Sequence, residues 1–136
     1  TQSGAFTLSF WHKLSSVATV CAIGSGTTNV KICQVGSNYF VRVFSGGSSD
    51  NTVPITRNTW QFVTVTRNAN NKVDLYVNGG TPNRLFSDAA QSGNFSVSTF
   101  GVDNDSQYWN GFLDDVRIYN RALSAAEVLR LYNSGR

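Results

Sequence analysis

The chain has 136 residues, of which 14% are charged, 40% hydrophobic and 12% aromatic, with a net charge of +3. Charge is sparse against the roughly 25% of an average soluble domain, and Ser, Thr and Asn fill the gap with 42 of the 136 residues. This inventory excludes a helical bundle, a spanning helix of about 20 apolar residues and, because the basic residues are scattered, a nucleic-acid footprint.

The hydrophobic pattern repeats every two residues. Phe6, Leu8 and Phe10 alternate with Thr7, Ser9 and Trp11 and predict an opening strand. Val20–Ala22 and Val30–Ile32 are short runs on either side of a GSGTTN turn at 24–29. Tyr39–Phe44 and Trp60–Thr66 follow, then Val73, Leu75 and Val77 leading into an Asn78-Gly79-Gly80 hairpin turn. Phe95, Val97 and Thr99 alternate next, and Phe112–Tyr119 closes the series. About eight short strands separated by Gly/Asn-rich turns predict an all-β antiparallel sandwich or barrel. One helix follows. Ser124-Ala125-Ala126-Glu127 is a capping box, and Val128, Leu131 and Tyr132 form one apolar stripe. Gly135 is expected to supply a left-handed C-terminal cap.

Chemistry-bearing residues are few. Glu127 is the single Glu and His12 the single His. Two-Glu glycosidase chemistry is therefore excluded, and two Cys plus one His fall short of a zinc site. Glu127 is assigned to the cap, and His12 to packing within its strand. Cys21 and Cys33 flank the 24–29 turn symmetrically and are expected to lie cross-strand, within reach of a disulfide; two buried thiols are the alternative. The polar surface and a disulfide suit an extracellular protein. The chain has no Met and no leader-like segment, so it is expected to be a processed product or a piece of something longer.

Four blocks carry a resemblance. Phe6-Thr7-Leu8-Ser9-Phe10-Trp11 resembles "FTISxW", and Trp60–Val65 resembles "WxHVAV". Val73–Gly79 resembles "VxLYVDG", and Gly111–Ser124 is close to "GxIDDVRIYNRALS". Together these are similar to the laminin G-like, concanavalin A-like lectin/glucanase jelly rolls. The resemblance implies two curved antiparallel sheets over residues 1–136, a mostly non-catalytic role binding glycans or proteins, and frequent calcium at the rim. It also implies a strand ahead of "FTISxW" that this sequence lacks. An exposed sheet edge, completed by a lost segment or a neighbouring chain, is expected in its place.

Candidate site residues cluster late in the sequence. Asp103, Asn104 and Asp105 lie on one loop, and calcium takes six to eight oxygen ligands from such groups. Asp103, Asp105 and Asp114 are the candidate metal ligands. Asp114 alternatively accepts backbone amides or an Arg within its strand, and Asp50-Asn51 is a second, weaker candidate. Tyr108 and Trp109 follow the acidic loop and, with Asn104, are the candidate ligand contacts, because aromatic faces stack on the apolar faces of sugar rings. Trp11 and Trp60 are expected to pack against a sheet. Arg42, Arg57, Arg67 and Arg84 could together hold an acidic glycan if they converge. The sequence thus predicts a non-catalytic carbohydrate-binding or adhesion module of a larger secreted or surface protein. The alternative is an assembly module of a surface layer, fibre or virion.

Overall fold

The computed structural model describes residues 4–15, 19–25, 30–44, 47–101 and 108–135. Its strands are β1 (Phe6–Leu14), β2 (Val20–Gly24), β3 (Lys31–Val35), β4 (Asn38–Arg42) and β5 (Gln61–Arg67). They continue with β6 (Val73–Val77), β7 (Asn83–Arg84), β8 (Thr99–Phe100) and β9 (Gly111–Tyr119), and helix α1 spans Ala125–Gly135. One sheet has the order β7-β6-β5-β1-β9 and the other β4-β3-β2-β8. Every pairing between these strands is antiparallel. This is the two-sheet jelly-roll sandwich that the strand pattern and the resemblance imply.

Alternation in β1 decides what goes inside. Phe6, Leu8, Phe10 and Leu14 are at most 1% exposed and join one core with Ile23, Ile32, Tyr39, Val41, Val63, Val65 and Leu75. Burying each such side chain contributes about 1.5–3 kcal/mol, which makes the facing of β1 between its two neighbours hard to reverse. The opposite face of β1 is buried as well. Thr7 and Ser9 are fully buried there, because α1 and its connector cover that side of the five-stranded sheet. Val128 of α1 packs with Tyr76 and Leu123. The Thr7 hydroxyl donates to Arg121 O at 2.7 Å and accepts from Leu123 N–H at 2.9 Å, pinning the connector to the strand.

The capping box forms as its sequence predicts. Ser124 Oγ accepts from Glu127 N–H at 3.2 Å, and Glu127 Oε1 accepts from Ser124 N–H at 3.1 Å. Cys21 and Cys33 sit directly cross-strand and are disulfide-bonded.

Two expectations change. The 95–99 alternation yields only a single bridge residue at Phe95 and the two-residue β8; the Phe95 side chain stacks on Phe6 in the core, ring centroids 3.9 Å apart. Gly135 lies inside α1 rather than serving as a left-handed cap. A Cβ there would stand 2.6 Å from the Trp11 indole nitrogen, so this glycine permits the helix end to touch the sheet. β1 is flanked by β5 and β9, and the long terminal strand of that sheet is β9.

Candidate binding groove

Among the described residues, nothing covers the outer face of the five-stranded sheet beyond the end of α1. Trp11 projects from β1 on this face, opposite in phase to Phe10 and His12. It stands cross-strand from Phe62 and Asp114. Tyr132 of α1 stacks on it with centroids 5.6 Å apart, and Phe62 meets it at 5.2 Å. The indole is thereby held in one orientation from two sides. Trp60, just ahead of β5, is 44% exposed and lies 6.1 Å from the Phe112 ring.

Between these aromatic groups runs an open groove of about 710 Å³, lined by Trp11, Trp60, Asp114, Asp115, Tyr132 and Gly135. A bulge in β9 brings the two Asp residues to the same wall. β1 advances from Ser9 to Trp11 while β9 advances from Arg117 to Asp114, one residue more. The extra residue is accommodated by Asp115 in a left-handed conformation, φ 50°. Asp114 Oδ1 accepts the Asp115 N–H at 2.8 Å, and Asp115 Oδ1 accepts from Arg117 Nε at 2.9 Å. One oxygen of each carboxylate is thus committed to holding the bulge. Aromatic faces beside oriented carboxylate acceptors are suited to a polyol that offers C–H faces and hydroxyl donors.

The described part of the late cluster expected from the sequence is divided. Asp103, Asn104 and Asp105 lie outside the described residues. Tyr108 is 66% exposed and bridges to Cys21 beside the other sheet. Trp109 is half-buried against the core, its ring 5.3 Å from His12 and its indole N–H donated to Phe112 O at 3.3 Å. Neither lines the groove, whereas Asp114 does.

Among the described residues, no group of three or more His, Cys, Asp or Glu comes together. Asp114 and Asp115 alone fall well short of the six to eight oxygens that calcium requires. Asp50 is structural: Oδ1 accepts from the Thr52 hydroxyl and N–H, and Oδ2 from Phe86 N–H, tying two loops.

The arginines have separate tasks. Arg67 is fully buried and gives its hydrogen bonds to the carbonyls of Gly4, Gln91 and Gly93. Arg84 is paired with Asp74 and Asp88, and Arg57 is held by Gln34 and the Gly36 carbonyl. Arg42 lies 5.8 Å from the Phe40 ring centroid.

Trp11, Trp60, Tyr132 and Asp115 were not singled out as contacts by sequence reasoning. The signal was present in part: Trp11 falls on the polar phase of β1, where a large aromatic has no place in the core. That Tyr132 and Trp60 would meet it there depends on sheet order, which one sequence does not display.

The fold is a two-sheet jelly roll with an aromatic groove on one outer face, and the sequence match is more specific. Residues 1–129 match the family model of the concanavalin A-like lectin/glucanases superfamily, laminin G type 3, and the chain belongs to that family. No curated protein sequence matches it. Among solved structures it is similar to domain 4 of AbnA, a GH43 extracellular arabinanase from Geobacillus stearothermophilus, in complex with arabinotriose. Identity there is 19% and the TM-score 0.70, over 97% of this chain and 68% of that one. The binding domain of Paraclostridial Mosquitocidal Protein 1 matches with 20% identity and TM-score 0.64, over 97% of this chain and 37% of that one. Trypanosoma rangeli sialidase matches with 16% identity and TM-score 0.73, over 98% of this chain and 23% of that one. The chain thus spans about a quarter to two thirds of these proteins, and several similar structures are binding domains of larger proteins.

Proposed function

We propose that this chain is a non-catalytic carbohydrate-binding module of a larger extracellular protein, and that the groove beside α1 is its sugar site. The observation that carries the reading is the convergence of Trp11, Trp60 and Tyr132 with Asp114 and Asp115 around one open groove. A glycan segment stacks on the exposed Trp60 face, and its hydroxyls donate to the Asp oxygens not committed to the bulge. The arabinotriose complex of the AbnA domain supports a neutral oligosaccharide as the first ligand class to test.

The non-catalytic part is supported by the state of the single Glu. Glu127 is held by Arg121 at 2.5 Å and by the Ser124 amide. These contacts, the Arg121 hydrogen bond foremost, draw its carboxyl down to about 2. A carboxylic acid so fixed in its anionic form is a poor proton donor near neutral pH. The disulfide supports an oxidising compartment.

An array of neutral and acidic oligosaccharides, read with and without EDTA, tests the module and its calcium dependence together. Binding to at least one neutral glycan, lost about tenfold or more in Trp60→Ala, is the expected outcome. No binding to any glycan under either condition contradicts the reading. Binding abolished by EDTA would instead place a calcium site at the 103–105 loop with Asp114.

A further inference from the structure

The two sheets end in four terminal strands, and three of them are protected. β7 and β8 are two residues long. β4 is met along its outer side by bridges from Val41 to Asp50 and from Asn38 to Pro54. β9 differs. It runs for nine residues, pairs with β1 on one side, and among the described residues has no strand on the other. Alternate residues of such a strand turn their backbone N–H and C=O groups outward, and natural edges are usually blunted with Lys, Pro, brevity, charge or a bulge; of these β9 has the Asp114-Asp115 bulge and its neighbouring charges. The β9 sequence, Gly-Phe-Leu-Asp-Asp-Val-Arg-Ile-Tyr, contains neither Lys nor Pro.

Its side chains are also incompletely covered. Ile118 stands opposite Leu8, which is fully buried, yet is itself 48% exposed. Leu113 and Val116 pack on the core but remain half-open, and Phe112 on the outer face is 60% exposed. Among the described residues, the core is therefore open along this edge.

We propose that β9 is a docking edge for a second copy of this chain, with the two β9 strands pairing antiparallel about a twofold axis through Val116. The sequence of β9 is complementary to itself in that register. The Asp114-Asp115 bulge is counted as one position, as it is against β1. Val116 then meets its own counterpart. Ile118 of one copy faces Leu113 of the other on the inner side, and Tyr119 faces Phe112 on the outer side. Arg117 of each copy, paired with Asp115 of its own chain, faces the Asp pair of the other, so opposite charges adjoin at two places. A slip of one residue would set the inner apolar row against the outer polar one, which fixes the register. The twofold closes on itself, so the product is a dimer with a continuous ten-stranded sheet and not a fibre. The paired edge adjoins the proposed groove, with Asp114 and Asp115 common to both, but the dimer rests on β9 alone and its test involves no sugar.

Light scattering after size exclusion, over a wide range of protein concentration, tests it with three proteins. The wild-type chain is expected to be a concentration-dependent dimer. Ile118→Lys buries a charge in the paired row and is expected to raise the dissociation constant about a hundredfold, with an unchanged circular dichroism spectrum. Val116→Cys, a small change at a half-open position, is expected to give a covalent dimer on mild oxidation, whereas the wild type gives none. A wild-type monomer at every concentration overturns the proposal and leaves the edge to a segment from another polypeptide. Open-ended polymers overturn the twofold. A dimer that survives Ile118→Lys while Val116→Cys fails to crosslink shows that another surface is used, and overturns the proposal as well.

Discussion

His12 is fully buried between the sheets, with Nε2 2.6 Å from the Tyr39 hydroxyl, which in turn lies 3.2 Å from Gln61 Oε1. Gln61 Oε1 also accepts the Thr56 N–H at 2.9 Å. With the imidazole proton on Nε2, the chain reads His12 to Tyr39 to Gln61, each hydroxyl or ring hydrogen donated once. Burial pushes the imidazole down to about 4. The unfolded chain takes up this proton near pH 6.5 and the folded one does not, so stability is complete above about 6.5 and falls as the pH drops toward 4. The expected loss is about 3 kcal/mol, measured by urea unfolding at a series of pH values in that window. In His12→Leu, less stable at neutral pH, this part of the profile should flatten; an unchanged slope would show that His12 does not carry it. The same residue scale explains what the sequence concealed. His12 continues the inward phase of Phe6, Leu8 and Phe10, so its burial was legible. Its partners Tyr39 and Gln61 come from strands 27 and 49 positions away, and only the folded sheets bring them together.

At the scale of elements, α1 decides the character of the outer face. Its capping box and apolar stripe were readable because both depend on residues within two turns. Its docking was not, since that rests on Thr7 at the other end of the chain and on Gly135 meeting the Trp11 indole. Removing the cap hydroxyl in Ser124→Ala should cost about 1 kcal/mol. Urea unfolding of the whole chain and faster amide exchange in the first turn of α1 are the readouts. A change in neither would mean that packing of Val128 and Tyr132 alone fixes the helix. Strands were legible where alternation and burial agree, as in β1, β5 and β6. The 95–99 segment shows where they part: the alternation is present and Phe95 is buried against Phe6, yet only a bridge at Phe95 and the two-residue β8 form.

Across the whole molecule, sheet order does what local pattern does not. It places β9 next to β1, so that Asp114 lies across from Trp11 rather than with Tyr108 and Trp109. The family, the fold and the disulfide followed from blocks and spacings in the sequence. The groove arises from a strand, a loop residue and a helix that are distant in sequence, and from a bulge that turns two consecutive Asp residues to one side. The three tryptophans report separately on these alternatives. Trp11 and Trp60 line the groove; Trp109 packs against His12. The most direct measurement is therefore a titration of the protein with neutral oligosaccharides, observed at the three indole N–H resonances. The groove predicts that the signals of Trp11 and Trp60 shift with saturable dependence on the sugar while that of Trp109 stays in place. Movement of Trp109 with the other two unmoved would contradict it and return the site to the loop before β9.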